Sequence, residues 1–306
     1  MDRVFISGAI HFPMKIAILG TGSLARLYGT LFEADHPLMV GRQLGRYQLI
    51  ERDNTVSWHV PRFQRWEDPA PGPWQVVLVA VKWPGMPLAR QWLERWAQAG
   101  TYVVPFLNGM GQEQALIPPL TKSQLSPAIT TDAAFRSDDS DHDIWRVSIK
   151  DHGTVHLTET GHANEITLKQ QAASLNLAWQ WHPVDYMLRL RWTKLIANSV
   201  INPLSALSGQ PNGALLQLPL WRLAEPLCSE AESVAQSLGI SVTGTLKWVA
   251  DLAISTATNR SSMLQDVLSH QPSEIESITG YIVRQAHEAG IAVPTHQAIL
   301  HLVRLL

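Results

Sequence analysis

The chain has few charged residues and almost no cysteine. Asp, Glu, Lys and Arg make up 16% of its 306 residues, against roughly 25% in an average soluble protein, and the formal net charge is −2. With no block of basic residues, the sequence lacks the usual signature of a nucleic-acid-binding protein. The single cysteine, Cys228, cannot form a disulfide within the chain. The sequence therefore favours a reducing, cytoplasmic compartment.

Long apolar runs are also missing. A membrane-spanning helix needs about 20 consecutive apolar residues, whereas the longest run here covers only residues 76–81 and is typical of a buried strand. Residues 1–13 lack the apolar core and the cleavage site of a signal peptide, so we expect them to be an extension upstream of a start at Met14. We therefore expect neither a membrane nor a nucleic acid as a partner.

Hydrophobic periodicity divides the chain into two parts. In the first part, short β-rich runs alternate with helical patterns, as in a doubly wound parallel sheet; the candidate strands are residues 15–19, 37–40, 76–81, 102–106 and 128–131. Two further runs, 146–150 and 154–158, predict a hairpin, and a helix is predicted over 164–175. After about residue 183 the pattern is helical only. We predict an α/β domain over 14–182 and an all-helical domain over 183–306.

A glycine motif follows the first predicted strand. Its G-x-G-x-x-A spacing is typical of turns that bind dinucleotides. In such a turn Gly20 permits the tight bend, Gly22 lets a pyrophosphate approach the backbone, and Ala25 lets the next helix pack close to the sheet. The N-terminus of that helix offers unpaired N–H groups to the phosphates. The predicted cofactor contacts are Gly20, Thr21, Gly22, Ser23, Leu24 and Ala25; a tight turn that binds nothing is the alternative.

The residue that follows the second predicted strand indicates which dinucleotide is bound. An NAD enzyme usually has Asp or Glu there, to bind the ribose 2′-hydroxyl. This chain has Gly41, Arg42 and Gln43 and no carboxylate. An arginine can form charge-assisted bonds to a 2′-phosphate. Arg42 therefore predicts NADPH rather than NADH, and a solvated loop arginine is the alternative.

A polar stripe interrupts the apolar pattern of the helical part. Lys194, Asn198 and Asn202 follow one another at spacings of four. Each step of four residues turns only about 40° beyond a full helical turn, so the three side chains share one face about 6 Å apart. Burying such a stripe without partners costs free energy. The pattern therefore favours the wall of a polar pocket.

Four motifs of the chain resemble those of the ketopantoate reductases, the NADPH enzymes that make pantoate. They are N-G-M-G at 108–111, W-x-K-L-x-x-N-x-x-x-N-P-L at 192–204, P-N-G at 211–213 and S-S-M-L-Q-D at 261–266. The resemblance runs from about Met14 to the C-terminus. It implies a Rossmann-like domain, followed by helices similar to the C-terminal domain of 6-phosphogluconate dehydrogenase. It also implies reduction of 2-dehydropantoate, a small 2-oxo acid.

The same resemblance implies roles for single residues. Lys194 matches the lysine that donates a proton to the ketone oxygen, and Glu274 matches the glutamate that binds the substrate hydroxyl. Pro272 suggests a helix start there; Glu276 has the same composition cues, and only the resemblance selects Glu274. The other implied substrate contacts are Asn108, Asn198, Asn202, Asn212 and Ser262. The implied cofactor contacts outside the glycine motif are Arg42, Lys82, Asn108, Ala134 and Glu274.

Some alternatives stay open at this point. Asp132 and Phe135 replace a His and an Arg that can appear in the family, and the chain could reduce another 2-oxo acid or bind NADPH without catalysis. Asn212 with Gly213 is also typical of a plain turn, and Lys82 could be an ordinary surface residue. The 12 histidines form no metal-binding motif, so we expect no metal. Either a monomer or a homodimer is compatible with the sequence. The central expectation is that Lys194 reaches the nicotinamide from the helical part.

Overall fold

The computed structural model describes residues 13–43, 45–106, 108–117, 120–121, 124–136 and 145–306. The chain divides into two compact units. The first comprises Met1–Leu107 and Glu113–Val184, and the second comprises Asn108–Gln112 and Asp185–Leu306. The predicted extension lies outside the described residues except for Pro13. The short segment Asn108–Gln112, which carries the N-G-M-G motif, belongs to the helical unit although the sequence prediction placed it in the α/β domain.

A five-stranded parallel sheet forms the centre of the first unit. Its strands lie in the order β5-β2-β1-β6-β7, which is the order of a dinucleotide-binding fold; they are β1 (Ile16–Leu19), β2 (Leu38–Gly41), β5 (Arg62–Arg65), β6 (Val76–Val79) and β7 (Tyr102–Pro105). Alternate residues of β1 enter different hydrophobic cores, Ala17 and Leu19 on one face and Ile16 and Ile18 on the other. The helices of this unit are α1 (Ser23–Leu31), α2 (Met86–Trp96), α3 (Gln112–Leu116, which begins in the second unit) and α4 (Ala163–Ser174).

Two smaller sheets complete the first unit. One has the order β4-β3-β10-β9 and the other β12-β11-β8. Their strands are β3 (Tyr47–Ile50), β4 (Val56–His59), β8 (Ala128–Thr130), β9 (Ala133–Arg136), β10 (Trp145–Asp151), β11 (Val155–Thr158) and β12 (Trp179–His182). The hairpin predicted for residues 146–158 is wrong, because β10 pairs with β3 and β9 whereas β11 pairs with β8 and β12.

The chain changes sheet at two points that contact each other. The Oδ1 atom of Asp132, between β8 and β9, accepts a hydrogen bond of 2.8 Å from the backbone N–H of Gly153, between β10 and β11. Its Oδ2 atom accepts one from the hydroxyl of Tyr28, also at 2.8 Å. A Cβ atom on Gly153 would lie 2.3 Å from the carbonyl carbon of Thr131. This close approach leaves no room for a side chain at position 153.

In the second unit, residues 185–306 are all described and form helices joined by loops and turns, with no strand. Its long helix α5 (Val184–Ser208, whose first residue belongs to the first unit) is followed by α6 (Ala224–Ser237), α7 (Thr245–Ser255), α8 (Ser262–Leu268), α9 (Thr279–Ala289) and α10 (Pro294–Val303). Residues of α5 such as Leu195, Val200 and Leu204 pack in one core with α6, α9 and α10. The predicted fold class, α/β followed by all-α, is confirmed. No helix in the described ranges is long and apolar enough to cross a membrane.

Candidate active site

The glycine turn of the first unit is closed on one side and open on the other. Gly20 has a φ of +126°, and a Cβ atom on it would lie 2.4 Å from the carbonyl oxygen of Ala80. Its N–H donates to the carbonyl of Val40 at 2.8 Å. At Gly22, by contrast, no atom of a described residue beyond the adjoining backbone lies within 4 Å of where a Cβ would be. The turn therefore needs glycine at position 20 to fold, whereas the space beside Gly22 is available to a ligand.

The helix that follows the turn presents an uncapped N-terminus. α1 has Gly22 as its N-cap, no capping side-chain hydrogen bond and no acidic residue in its first turn. Ala25 is completely buried. The first N–H groups of a helix have no partner within it and favour an anion. The open side of Gly22 and this uncapped helix end fit a pyrophosphate group.

Other predicted cofactor residues follow neighbouring strands of the same sheet. Arg42 comes directly after β2, is exposed, and forms no ion pair with any described residue. Lys82 is an exposed residue shortly after β6. Because parallel strands end at one edge of a sheet, both residues lie at the edge where the glycine turn follows β1. Ala134 is on β9 and packs, partly buried, against the small core that includes Leu27 of α1.

The polar stripe of the second unit lies on α5, as the spacing predicted. Lys194 and Asn198 are partly buried, and Asn202 is 7% exposed. Pro203 follows Asn202 inside the helix, and a proline there removes one hydrogen bond of the helix. Burial lowers the pKa of Lys194 to about 8, against an opposing effect of the nearby Glu274 carboxylate. An ammonium group with a pKa near neutrality is suited to donating a proton.

Glu274 and Asn108 join Lys194 from two distant parts of the sequence. The Nδ2 atom of Asn108 donates to Oε2 of Glu274 at 3.1 Å, and Glu274 is only 8% exposed. Within this unit, one cation, one carboxylate and one amide are therefore brought together from three segments.

Ser277, which the sequence analysis missed, fixes the segment that carries Asn108. The carbonyl of Ser277 accepts from the N–H of Met110 at 2.9 Å. Its hydroxyl lies 3.3 Å from the carbonyl of Asn108 and 3.0 Å from that of Glu274. Gly109 has a φ of +83°, and a Cβ on it would lie 2.2 Å from the Ser277 carbonyl oxygen. The motif glycine therefore permits a close backbone contact, and its sequence spacing gave no indication of the partner.

The helix start predicted at Pro272 is wrong. Residues 275–278 form a turn, and α9 begins only at Thr279. The turn is held by bonds to the Glu274 carbonyl from the N–H groups of Ser277 and Ile278. A helix dipole therefore does not stabilise the Glu274 carboxylate. The Glu276 side chain instead accepts a bond of 2.7 Å from Nε of Arg304.

Asn212 and Ser262 have different surroundings. Asn212 starts a 3-10 helix, and its Nδ2 donates to the Thr256 hydroxyl at 2.9 Å. Its Oδ1 atom is buried and accepts no hydrogen bond from a described residue. Ser262 is the exposed first residue of α8. Ser261 caps that helix, and its hydroxyl lies 3.5 Å from the carbonyl of Asn202, so the start of α8 is near the α5 stripe.

The described residues contain no group of three or more His, Cys, Asp or Glu side chains that could hold a metal ion. The first unit has a cavity of about 530 Å³ lined by residues that include Glu33, Tyr47, His59 and Arg62. None of the predicted cofactor residues lines it.

Comparison with known proteins agrees with these observations. Residues 16–162 match the family described as ketopantoate reductase PanE/ApbA, and residues 186–306 match its C-terminal domain. A 2-dehydropantoate 2-reductase of Yersinia pestis is 33% identical over 64% of this chain, but the match spans only 62% of that protein. A namesake from Escherichia coli O157:H7 is 28% identical over 95% of this chain and 94% of its own length.

Solved structures with the same fold cover nearly the whole chain. A 2-dehydropantoate 2-reductase from Geobacter metallireducens GS-15 has a TM-score of 0.81 at 20% identity, covering 95% of this chain and 99% of that one. A D-mandelate dehydrogenase with NADH and anilino(oxo)acetate also has a TM-score of 0.81, at 19% identity and 95% and 98% coverage. These likenesses show the fold. With the two family models matched over 16–162 and 186–306, the chain belongs to the ketopantoate reductase family.

Proposed function

We propose that this protein reduces 2-dehydropantoate (ketopantoate) to pantoate with NADPH. The observation that carries the proposal is the group of Lys194, Glu274 and Asn108 in the second unit, found in a chain of this family. Relatives named 2-dehydropantoate 2-reductase support the substrate. The glycine turn and the uncapped start of α1 support a dinucleotide.

NADPH, when bound, supplies the hydride that adds to the C2 carbon of the ketone. The residues that would hold it are those of the glycine turn, with Lys82 and Ala134 as further contacts and Arg42 at the 2′-phosphate. An exposed arginine after β2, where NAD enzymes place a carboxylate, supports NADPH over NADH. Asn108 and Glu274 are proposed to contact cofactor as well as substrate.

Lys194 acts as the general acid. As the C2 carbonyl becomes an alkoxide, the ammonium group donates a proton to the oxygen and becomes a neutral amine. Burial favours that loss of charge, because it lowers the pKa of Lys194 to about 8. The Glu274 carboxylate opposes the shift, so that the amine remains largely protonated at neutral pH.

The surrounding polar groups bind the substrate. Glu274 accepts a hydrogen bond from the hydroxyl of ketopantoate. The amide N–H groups of Asn198 and Asn202 and the hydroxyl of Ser262 donate to its carboxylate or carbonyl oxygen. Asn212 has a buried acceptor, Oδ1, without a described donor, which supports a substrate hydroxyl as its partner.

The test is consumption of NADPH in the presence of ketopantoate. Comparison with 2-oxoisovalerate, which lacks the hydroxymethyl group, measures the contribution of Glu274. We expect ketopantoate to have a kcat/KM at least about 100-fold higher, because a buried carboxylate loses a hydrogen bond with the shorter acid. A higher kcat/KM for another 2-oxo acid would identify a different reductase. Binding of NADPH without turnover of either acid would leave a non-catalytic protein.

A further inference from the structure

A buried arginine lies behind the glycine turn. Arg26, the residue after the G-x-G-x-x-A motif, is 1% exposed. Side chains on a helix tilt towards its N-terminus, and the Arg26 side chain folds back so that Nη1 donates to the carbonyl of Thr21. Thr21 lies between the two glycines of the turn. Arg26 therefore connects the first turns of α1 to the loop that precedes it.

The surroundings of Arg26 are mostly aromatic. Its Cζ atom lies 3.8 Å from the centre of the Trp145 ring and 5.5 Å from that of Tyr47. Arg136 stacks on the same Trp145 ring at 4.5 Å. Trp145 is paired with Tyr47 on β3, and Arg136 is paired with Val147 on β10, so these side chains share the sheet face that packs on α1.

This position is costly for a cation. The buried Nε atom of Arg26 has no hydrogen-bond partner among the described residues. Burial lowers the pKa of Arg26 to about 10; Tyr47 opposes this effect and Arg136 adds to it. An apolar side chain of similar length would fill the same interface without desolvating a charge. A role in packing alone does not explain why the residue is an arginine.

The contact with Thr21 has a consequence for the next peptide N–H. In a trans peptide the carbonyl of Thr21 and the N–H of Gly22 point in opposite directions from one rigid plane. A donor that holds the carbonyl therefore also sets the direction of the Gly22 N–H. That N–H belongs to the residue with open space beside it.

We propose that Arg26 is a positioning residue for the pyrophosphate of the dinucleotide. It holds the Thr21 carbonyl, presets the Gly22 N–H as a donor, and adds a positive charge behind the turn. The inference rests on the proposed function only in that a dinucleotide binds here. Pyrophosphate is common to NADPH and NADH, so Arg26 contributes equally to both, unlike Arg42.

The test compares the variant Arg26→Met with the wild type by calorimetric titration of NADPH and NADH. We expect Kd to rise about tenfold for both nucleotides, as for one lost charge-assisted hydrogen bond, with Tm unchanged or higher. Arg26→Lys should recover part of the affinity. Arg136→Gln, which alters the same Trp145 stack without touching Thr21, should change Kd less than about twofold. Arg42→Asp should weaken NADPH alone.

Three outcomes would overturn the inference. One is a Kd of Arg26→Met within about twofold of the wild type for both nucleotides. The second is a loss confined to NADPH. The third is a fall in the Tm of Arg26→Met, together with an equal loss of nucleotide affinity in Arg136→Gln and no recovery of affinity in Arg26→Lys. This result would assign Arg26 to packing. If the wild type itself binds neither nucleotide, the cofactor assignment fails as well, and this result differs from all three.

Discussion

The two units build their candidate sites in different ways. In the first unit, the candidate site is a contiguous turn of backbone, with glycines at the points where a side chain would clash or block access. In the second unit, single side chains from positions 108, 194 and 274 meet after folding. Binding a phosphate needs N–H groups that any short turn can supply. Proton transfer needs specific side chains in a buried setting, which one segment rarely provides.

The cationic side chains of the two sites also differ in their exposure to solvent. Arg42 and Lys82 are exposed, whereas Lys194 is buried enough to have a pKa of about 8 and has a carboxylate near it. Exposed cations attract an anionic cofactor at little cost to the fold. A desolvated lysine reduces stability, and groups with a perturbed pKa are common at functional sites.

The largest effect is expected at Lys194. Lys194→Met should lower kcat by about 10³-fold, because a general acid contributes about 10²–10⁴, while the Kd of NADPH stays within about twofold. Its apoprotein should have a higher Tm at pH 7, since a desolvated ammonium group is removed. Single-turnover kinetics and thermal unfolding measure both. Lys247→Met, which removes an exposed cation paired with Asp251, is the control; equal turnover in the two variants would refute the role of Lys194.

Glu274 and Glu276 form a matched pair of variants. Glu274→Gln should reduce kcat/KM for ketopantoate about 100-fold, because a buried charge partner of Lys194 is lost. Glu276→Gln removes only a partly exposed ion pair with Arg304 and should change kcat/KM less than about twofold. Steady-state kinetics at saturating NADPH provide the measurement. Similar losses of kcat/KM in both variants would show that Glu274 has no role in the reaction that Glu276 lacks.

The two glycines separate folding from binding in the first unit. Gly20→Ala should lower Tm by several degrees or prevent folding, because its Cβ would clash with the Ala80 carbonyl at a left-handed φ. Gly22→Ala should keep Tm but raise the Kd of NADPH about tenfold, since its Cβ enters the open side of the turn. Thermal unfolding measures the effect on folding, and calorimetric titration measures the effect on NADPH binding. An unchanged Kd in Gly22→Ala would mean that the pyrophosphate does not use this space.

An effect on stability alone is expected at a buried pair that supports α5. His296 is fully buried, lies 2.8 Å from Oε2 of Glu230 through Nδ1, and lies 3.3 Å from the Ser199 hydroxyl through Nε2. Although burial opposes it, hydrogen bonds from His296 and Thr295 lower the pKa of Glu230 to about 2.

A lowered carboxylate pKa stabilises the fold above the ordinary value of 4.5, and this contribution is lost as the pH falls towards 2. Glu230→Gln should therefore reduce the free energy of unfolding at pH 7 by roughly 2–3 kcal/mol. The difference from the wild type should shrink as the pH is lowered towards 2. Denaturant titrations across this range test it; a difference independent of pH would contradict the assignment.

Local patterns predicted local features well. The glycine motif gave the turn between β1 and α1, and the spacing of four placed Lys194, Asn198 and Asn202 on one helix. The strands β3, β4 and β5 were missed, although they are as long as β6, because they are only partly buried and mix polar with apolar residues. Their pattern lacks the apolar run that marked β6.

Long-range contacts could not be predicted from spacing. The predicted hairpin is wrong because the chain changes from one sheet to another at Gly153, where it contacts Asp132 of a separate segment. The helix start predicted at Pro272 is wrong because the Glu274 carbonyl accepts the hydrogen bonds of a turn instead. The Ser277 carbonyl accepts a hydrogen bond from the 108–110 segment. For the same reason, no local signal assigned Asn108 to the helical unit. The resemblance to the family selected Glu274 over Glu276, which composition alone left open.

The most direct test of the central claim is the pH dependence of kcat/KM for ketopantoate at saturating NADPH. If Lys194 is the proton donor, it must be protonated, so activity should fall above pH about 8, by about tenfold per pH unit. In Glu274→Gln the fall should begin at lower pH, because the carboxylate that raises the pKa is gone. A profile that stays flat from about pH 7 to about pH 10, or one unaltered by Glu274→Gln, would contradict this account of Lys194.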